Sequence, residues 1–333
     1  MRRQRGFNLI ELLIGLTISM MGLAAVSSMM MTFSKKRGAI TQTMATQDNG
    51  VMALYRLERD ISQAGYGLAP LQGCTTVVDG VNSFVPYPVI IGDGGTGVSD
   101  TITVQGTNPA SGVPGTELIV SGGNTMTSSA YNVRSTVGFS VNDKVVTTNF
   151  IPTCTMTTVT ALGGVVGAAT VSYTPALAAS STAGYLVYFG ASSAGVLSEF
   201  FSRRYAVGTT AMTVADYPAY TTNNLVDDIV FFKAQYGLSA TAASTTVTQW
   251  VSGSTALSSA NVGRVIAIRV GVVARSSARE NEVIDQPNPL PVFPEMSDSS
   301  GGTDAVTFAI PDTRSRYRAY STIIPLKNVI WTR

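Results

Sequence analysis

The chain has 333 residues, with 22 Lys and Arg against 20 Asp and Glu and no histidine. The missing histidine excludes Ser-His and Cys-His nucleophile–base pairs and His-ligated zinc, and outside the first five residues only Lys35-Lys36-Arg37 forms a basic run, so no nucleic-acid footprint is present. Only 13% of residues are charged, while Gly, Ser, Thr, Ala and Val abound, which suits a β-rich extracytoplasmic body rather than a charged helical protein or a disordered tail.

Arg2, Arg3 and Arg5 precede an apolar segment that carries no charge from Leu12 to Phe33, 22 residues. As a helix this spans about 33 Å, enough to cross a bilayer. By the positive-inside rule the arginines stay cytoplasmic and the rest of the chain faces the periplasm or the outside. The run exceeds the roughly 7–15 apolar residues of a secretory signal, and Gly22, Ala24 and Ala25 offer only a weak cleavage site. An uncleaved signal anchor is the alternative reading. Glu11 is the informative residue, since an ionisable group beside an apolar span is costly and rarely there without a use. It lies four residues after Phe7. If the chain were cut after Gly6, Glu11 would stand one helical turn from a new α-amino group, on its own chain or a neighbour's. In the first turn it also complements the helix dipole.

The segment Gly6-Phe7-Asn8-Leu9-Ile10-Glu11 resembles the class III signal of type IV prepilins and type II secretion pseudopilins. The resemblance implies that a prepilin peptidase cuts between Gly6 and Phe7 and N-methylates Phe7, and that Glu11 pairs with the N-terminal amine of an adjacent subunit during assembly. Loss of the three leader arginines leaves 19 basic against 20 acidic residues, a net charge of −1.

Ile40, Met44, Val51, Leu54, Leu57 and Ile61 then recur mostly at helical spacing. This stripe is expected to pack on a sheet, leaving the other face to solvent or neighbouring subunits. Ala64-Gly65-Tyr66-Gly67 and Pro70 end the helix. Gly15, Gly22, Gly38 and Gly50 each weaken it by about 1 kcal/mol. Beyond residue 66 helical periodicity vanishes. Strands are expected at 101–105, 117–120, 144–148, 155–161, 169–173, 185–189, 200–206, 229–236, 262–273 and 320–325. The run 262–273 alternates around Arg264 and Arg269 as a half-buried strand, and 92–97 and 287–300 read as loops. Cys74 and Cys154, the only cysteines, make either one disulfide, worth about 4 kcal/mol across such a loop, or two free buried thiols.

The stretch Leu57-Glu58-Arg59-Asp60-Ile61-Ser62-Gln63-Ala64-Gly65-Tyr66-Gly67 is similar to the helix end of PilW-type minor pilins. Three later blocks are similar too: 226–237, 264–276 and 317–328, the last with Lys327 where Leu-Arg-Asn is common. Residues of about 70–200 match no pattern. The resemblance implies a non-catalytic protein that helps start pilus assembly and joins other minor pilins at the pilus tip.

The whole reads as an α+β, pilin-like fold. It comprises a leader (1–6), a long helix (7–65, with 7–33 in the membrane or filament core) and a β-rich body with antiparallel sheet (66–333). The chain is expected not to be an enzyme and to take no cofactor, metal or nucleic acid. Implied partners are other minor and major pilins, the prepilin peptidase, the inner-membrane assembly platform and a tip adhesin. The implied location is the bacterial inner membrane, with the body in the periplasm, and then the extracellular pilus. A type II secretion pseudopilin and a membrane-anchored, adhesin-like surface-binding module are the alternatives. The loop Asp93–Asp100 has a loose set of oxygen ligands without EF-hand spacing and reads as a solvated turn, as does Asp298–Asp304. Glu280 and Glu282 read as an exposed loop pair, Trp250 and Trp331 as core or interface aromatics, and Gly163–Gly167 lacks the Lys of a P-loop.

Overall fold

The computed structural model describes residues 9–79, 82–149, 152–193, 196–255, 257, 259–296 and 305–330. It opens with one uninterrupted helix, α1 (Leu9–Ser62), followed by a body of short strands. The helix stops where glycine permits it: Gly65 and Gly67 take φ of +79° and +74°, left-handed backbone in which a side chain is strained.

Two antiparallel sheets and α1 enclose the main core. The central sheet runs in the order Val247–Ser252, Ile229–Ser239, Val265–Arg275, Tyr317–Pro325. The second runs Thr221–Asp227, Ala211–Asp216, Phe200–Val207, Thr101–Thr107, Val89–Gly92. Ala53, Leu57 and Ile61 of the helix, with Ala64 just past its end, meet Ile268, Val270 and Val272 of the central sheet and Ile102, Val104 and Tyr205 of the second.

The strand Val265–Arg275 departs from the expected half-burial, because both of its faces are covered. Ile268, Val270, Val272 and Ala274 face the main core. On the other side Val273 packs in a satellite core with Phe231, Val292 and Phe293. That core is roofed by a ribbon of Leu290–Phe293 and Val306–Phe308, so residues 287–300 are not simply a loop. The start of the expected strand is also wrong: 259–262 is a helical turn. The segment 117–120 is a strand only at its beginning, within Gly115–Glu117.

Residues between Thr107 and Phe200 form an insertion. These two residues are register partners, so the chain leaves and re-enters the second sheet at one point. The insertion builds most of a nine-stranded sheet. It has its own core around Tyr131, Val145, Val171 and Tyr173, and Val146, Met156 and Phe189 share a second core with Leu71 from the segment after the helix. One pairing of that sheet is parallel and joins the insertion to the segment before it, Thr76–Asp79 on Thr153–Val165. At that junction Cys74 and Cys154, both fully buried, form a disulfide with Cα atoms 5.7 Å apart.

Candidate functional site

Every residue from Leu9 to Gly38 is exposed. As a helix these 30 residues are about 45 Å long, and among the described residues they touch the body only near Lys35. Among the described residues α1 is the one helix long and apolar enough to cross a membrane. Four of its hydroxyls do not stand bare in this apolar stretch. Thr17, Ser19, Ser28 and Thr32 each donate to a backbone carbonyl three or four residues earlier, at 2.7–2.9 Å, which hides their polarity from an apolar phase. Glu11 lies exposed in the first turn. Gly6 and Phe7 fall outside the described residues.

The second half of α1 rests on the body through Thr46, Gly50, Ala53, Leu57 and Ile61. The expected stripe is therefore divided. Leu57 and Ile61 are in the core and Leu54 packs at its edge, but Ile40, Met44 and Val51 are exposed, at 57%, 60% and 53%. The reason is close approach. The Tyr320 ring occupies the space a side chain at position 50 would need, 2.3 Å from where a Cβ would lie. A large apolar residue at that point would push the sheet away, so the seat uses the small Thr46, Gly50 and Ala53 there and Leu57 and Ile61 only nearer the helix end. The large ones, joined by Tyr55, form a second stripe turned outward.

The segment 60–67 is bolted down residue by residue. Asp60 accepts from Arg203 Nη1 at 2.7 Å and from the Tyr205 hydroxyl. Arg203 also holds Asp216. A Cβ on Gly65 would strike Pro88. The Tyr66 hydroxyl donates to Gly112 O at 2.9 Å, reaching the insertion. Asn328 closes the helix end, its Nδ2 donating to Gln63 O (2.9 Å) and Ala64 O (3.2 Å). The other resemblance blocks hold similar ties. Gln235 Oε1 accepts from Arg269 Nε at 2.9 Å, and the Arg269 guanidinium lies between the Trp250 and Phe293 rings. Trp250 is thus a core aromatic.

The Asp93–Asp100 loop is not a solvated turn. Asp100 is 1% exposed, and the oxygen cage closes on an internal cation, Lys233. Its Nζ donates to Asp100 Oδ1 (2.6 Å), Gly95 O (2.8 Å) and Asp93 Oδ1 (3.2 Å). The backbone NH of Gly95 and the Lys233 ammonium hold the Asp93 carboxyl below its usual range, while burial pushes Asp100 up. Sequence reasoning missed Lys233; the signal was a lone lysine inside an apolar strand run. Among the described residues no group of three acidic, Cys or His side chains is placed to hold a metal. Glu280 pairs with Arg316 at 2.6 Å and Glu282 lies 3.6 Å from Lys35, ties between a loop, the body and α1. Asp298, Asp304 and Trp331 fall outside the described residues.

An exposed apolar helix with a carboxylate in its first turn, seated on a β-rich body, defines a type IV pilin-like protein. Residues 1–27 match the prokaryotic N-terminal methylation motif. Within this class the chain is similar to PilW-type minor pilins: residues 188–328 match the family described as type IV pilus-assembly protein W. That match ends at the helix-capping Asn328 and leaves out the insertion up to residue 187. No curated protein matches the chain. Among solved structures, a type IV-like pilin from Thermus thermophilus superposes with a TM-score of 0.41 at 11% identity, covering 85% of this chain and 96% of that one.

Proposed function

We propose that this chain is a minor pilin of the type IV pilus that helps initiate assembly and forms part of the tip complex. The observation that carries the reading is the exposed apolar half of α1 with Glu11 in its first turn. In this reading residues 1–6 are a leader and the peptidase cuts between Gly6 and Phe7. N-methyl-Phe7 then begins the mature chain, whose body (66–333) faces the periplasm until α1 leaves the inner membrane for the filament. Glu11 neutralises the amine of a neighbouring subunit, which removes the cost of two isolated charges in an apolar surrounding. The partners are other minor and major pilins and the inner-membrane platform, and the role is structural rather than catalytic. The body resemblance at 188–328 favours a pilus over a secretion pseudopilus.

The test has two parts. Mass spectrometry of protein from its native membrane is expected to find a chain starting at methylated Phe7, and Glu11→Ala is expected to reduce surface pili at least tenfold while leaving the protein in the membrane. A chain beginning at Met1, or normal piliation by the variant, would overturn the reading.

A further inference from the structure

Lys233 and Asp100 set an amine against a carboxyl in a site closed to bulk water. Both side chains are buried, and Nζ lies 2.6 Å from Asp100 Oδ1. Backbone fixes that carboxyl from two sides: the N–H of Gly94 donates to Oδ1 and that of Ala234 to Oδ2, both at 3.0 Å. The neighbours of Lys233 in its strand, Phe232 and Ala234, belong to the main core. The pair Lys35–Glu282 shows the contrast, being 3.6 Å apart and open to water on both sides.

The two carboxyls of the cage are not equivalent. Asp93 Oδ1, 3.2 Å from Nζ, also accepts from the Gly95 N–H at 2.7 Å, and its Oδ2 accepts from the Ser254 N–H. These donors and the ammonium hold Asp93 ionised, while burial favours the protonated form of Asp100. Asp100 is thus the carboxyl that takes a proton from the ammonium, and Asp93 is the base beside it. A buried ion pair gains little, because lost hydration offsets most of its attraction. A neutral amide carries no such penalty. Holding amine and carboxyl in contact also supplies an effective concentration of up to about 10⁵–10⁸ M, which makes an otherwise slow condensation accessible.

We propose that Lys233 and Asp100 condense after folding into an intramolecular amide between Nζ and Cγ, releasing one water. One ammonium proton passes to Asp100 Oδ1, leaving a neutral amine and a neutral carboxyl. The Nζ lone pair then attacks Cγ, and negative charge develops on Oδ2, where the Ala234 N–H stabilises it. Asp93 takes the second Nζ proton and hands it to the Oδ1 hydroxyl. The Cγ–Oδ1 bond breaks, water leaves past the partly exposed Asp93, and the nitrogen keeps its third proton. Asp93 ends as it began, and no oxidant or cofactor enters. The product ties the 93–100 loop covalently to the strand Ile229–Ser239, across 133 residues of sequence. Freshly folded chains hold the ion pair, and the inference does not depend on the pilus reading.

The test is the intact mass of the full-length protein in detergent, followed through a week of warm incubation at neutral pH and measured after denaturation and reduction. The mass is expected to fall by one water, and trypsin to stop cutting the denatured chain after Lys233. Asp100→Asn is expected to lose one ammonia instead, because the same attack expels the amide nitrogen. Lys233→Arg keeps the positive charge without a nucleophilic amine and is expected to keep its full mass. Three results would each overturn the proposal: a wild-type mass unchanged after the week, loss of a water while trypsin still cuts after Lys233, which would place a succinimide at Asp93-Gly94, or the same loss in Lys233→Arg.

Discussion

Replacing Lys233 by Met tests whether the buried ammonium organises the loop beneath it. Lys233 is 8% exposed, and three oxygens surround its nitrogen. Asp100 also accepts from the backbone N–H of Ala234 and Gly94, both at 3.0 Å, and Asp93 Oδ2 from that of Ser254. The knot thus joins the 93–100 loop to the central sheet and to the turn after Val247–Ser252. Methionine keeps the apolar stem but leaves Asp100 without a counter-charge. Breaking one partner of such a buried pair costs about 3–5 kcal/mol, whereas removing both is often close to neutral. We expect Lys233→Met to lower the thermal midpoint of the full-length protein in detergent by about 4–7 °C at pH 7. Lys233→Met/Asp100→Asn is expected to recover at least half of that loss. The sign with pH follows from Asp100. Burial already raises its pKa and removal of the cation raises it further, so the penalty belongs to the ionised form and shrinks as acid protonates it. Calcium chelators are expected to leave the wild-type midpoint unchanged, because the ammonium fills the cage. A shift below 2 °C in the single variant, or a double variant as unstable as the single, would refute the reasoning.

Glycines in α1 are expected to separate by position. Gly38→Ala meets nothing within 4 Å and gains about 1 kcal/mol of helix propensity, while Gly50→Ala drives its methyl into Tyr320 and loses about 1–3 kcal/mol; thermal melts decide, and Tyr320→Ala alongside Gly50→Ala recovers part of the loss. Asn328→Ala is expected to cost about 1 kcal/mol by uncapping the helix, and hydrogen exchange to rise first at 60–64. Alkali is expected to unfold the body. Burial pushes Tyr188 up to about 12 and raises Tyr131, Tyr205 and Tyr236 as well, so the stability they contribute is complete below the unfolded value near pH 10 and is lost as pH rises through the folded ones, by about 1.4 kcal/mol per pH unit per tyrosine. Tyrosinate absorbance and circular dichroism should then change together. Reduction of Cys74–Cys154 is expected to cost about 4 kcal/mol, read as a lower midpoint in reductant.

The helix was legible because its signals are local: an uncharged run, a first-turn carboxylate and a terminal glycine pair. The stronger strands were legible too, since runs such as 200–206 and 229–236 are β-branched and aromatic. What escaped depends on partners distant in sequence. The ribbon strand Leu290–Phe293 is only four residues long and finds its mate beyond residue 304. The burial of Val265–Arg275 on both faces needs that ribbon, so its alternating pattern suggested one wet face. Lys233 and Asp100 are separated by 133 residues, and neither announces the other. The glycine at position 50 signals weakness in sequence, yet the Tyr320 ring makes it a requirement of the seat.

The same seat explains why so much apolar surface is left over. A helix packed by its large residues would stand off from the sheet by the length of those side chains, and its opposite face would be polar. Here the close contact through Thr46, Gly50 and Ala53 frees Ile40, Met44, Val51 and Tyr55. Their spacing of four, seven and four residues keeps them on one side, in line with the bare apolar half that begins at Leu9. A monomer gains nothing from this arrangement, since the exposed stripe forgoes about 25 cal/mol for each Å² it could have buried. In the proposed filament that loss is offset where other helices cover the stripe. In the proposed filament, Gly50 beneath Tyr320, together with the buried Leu57 and Ile61, would set which face of α1 the body takes, and thereby which face is left for neighbouring subunits.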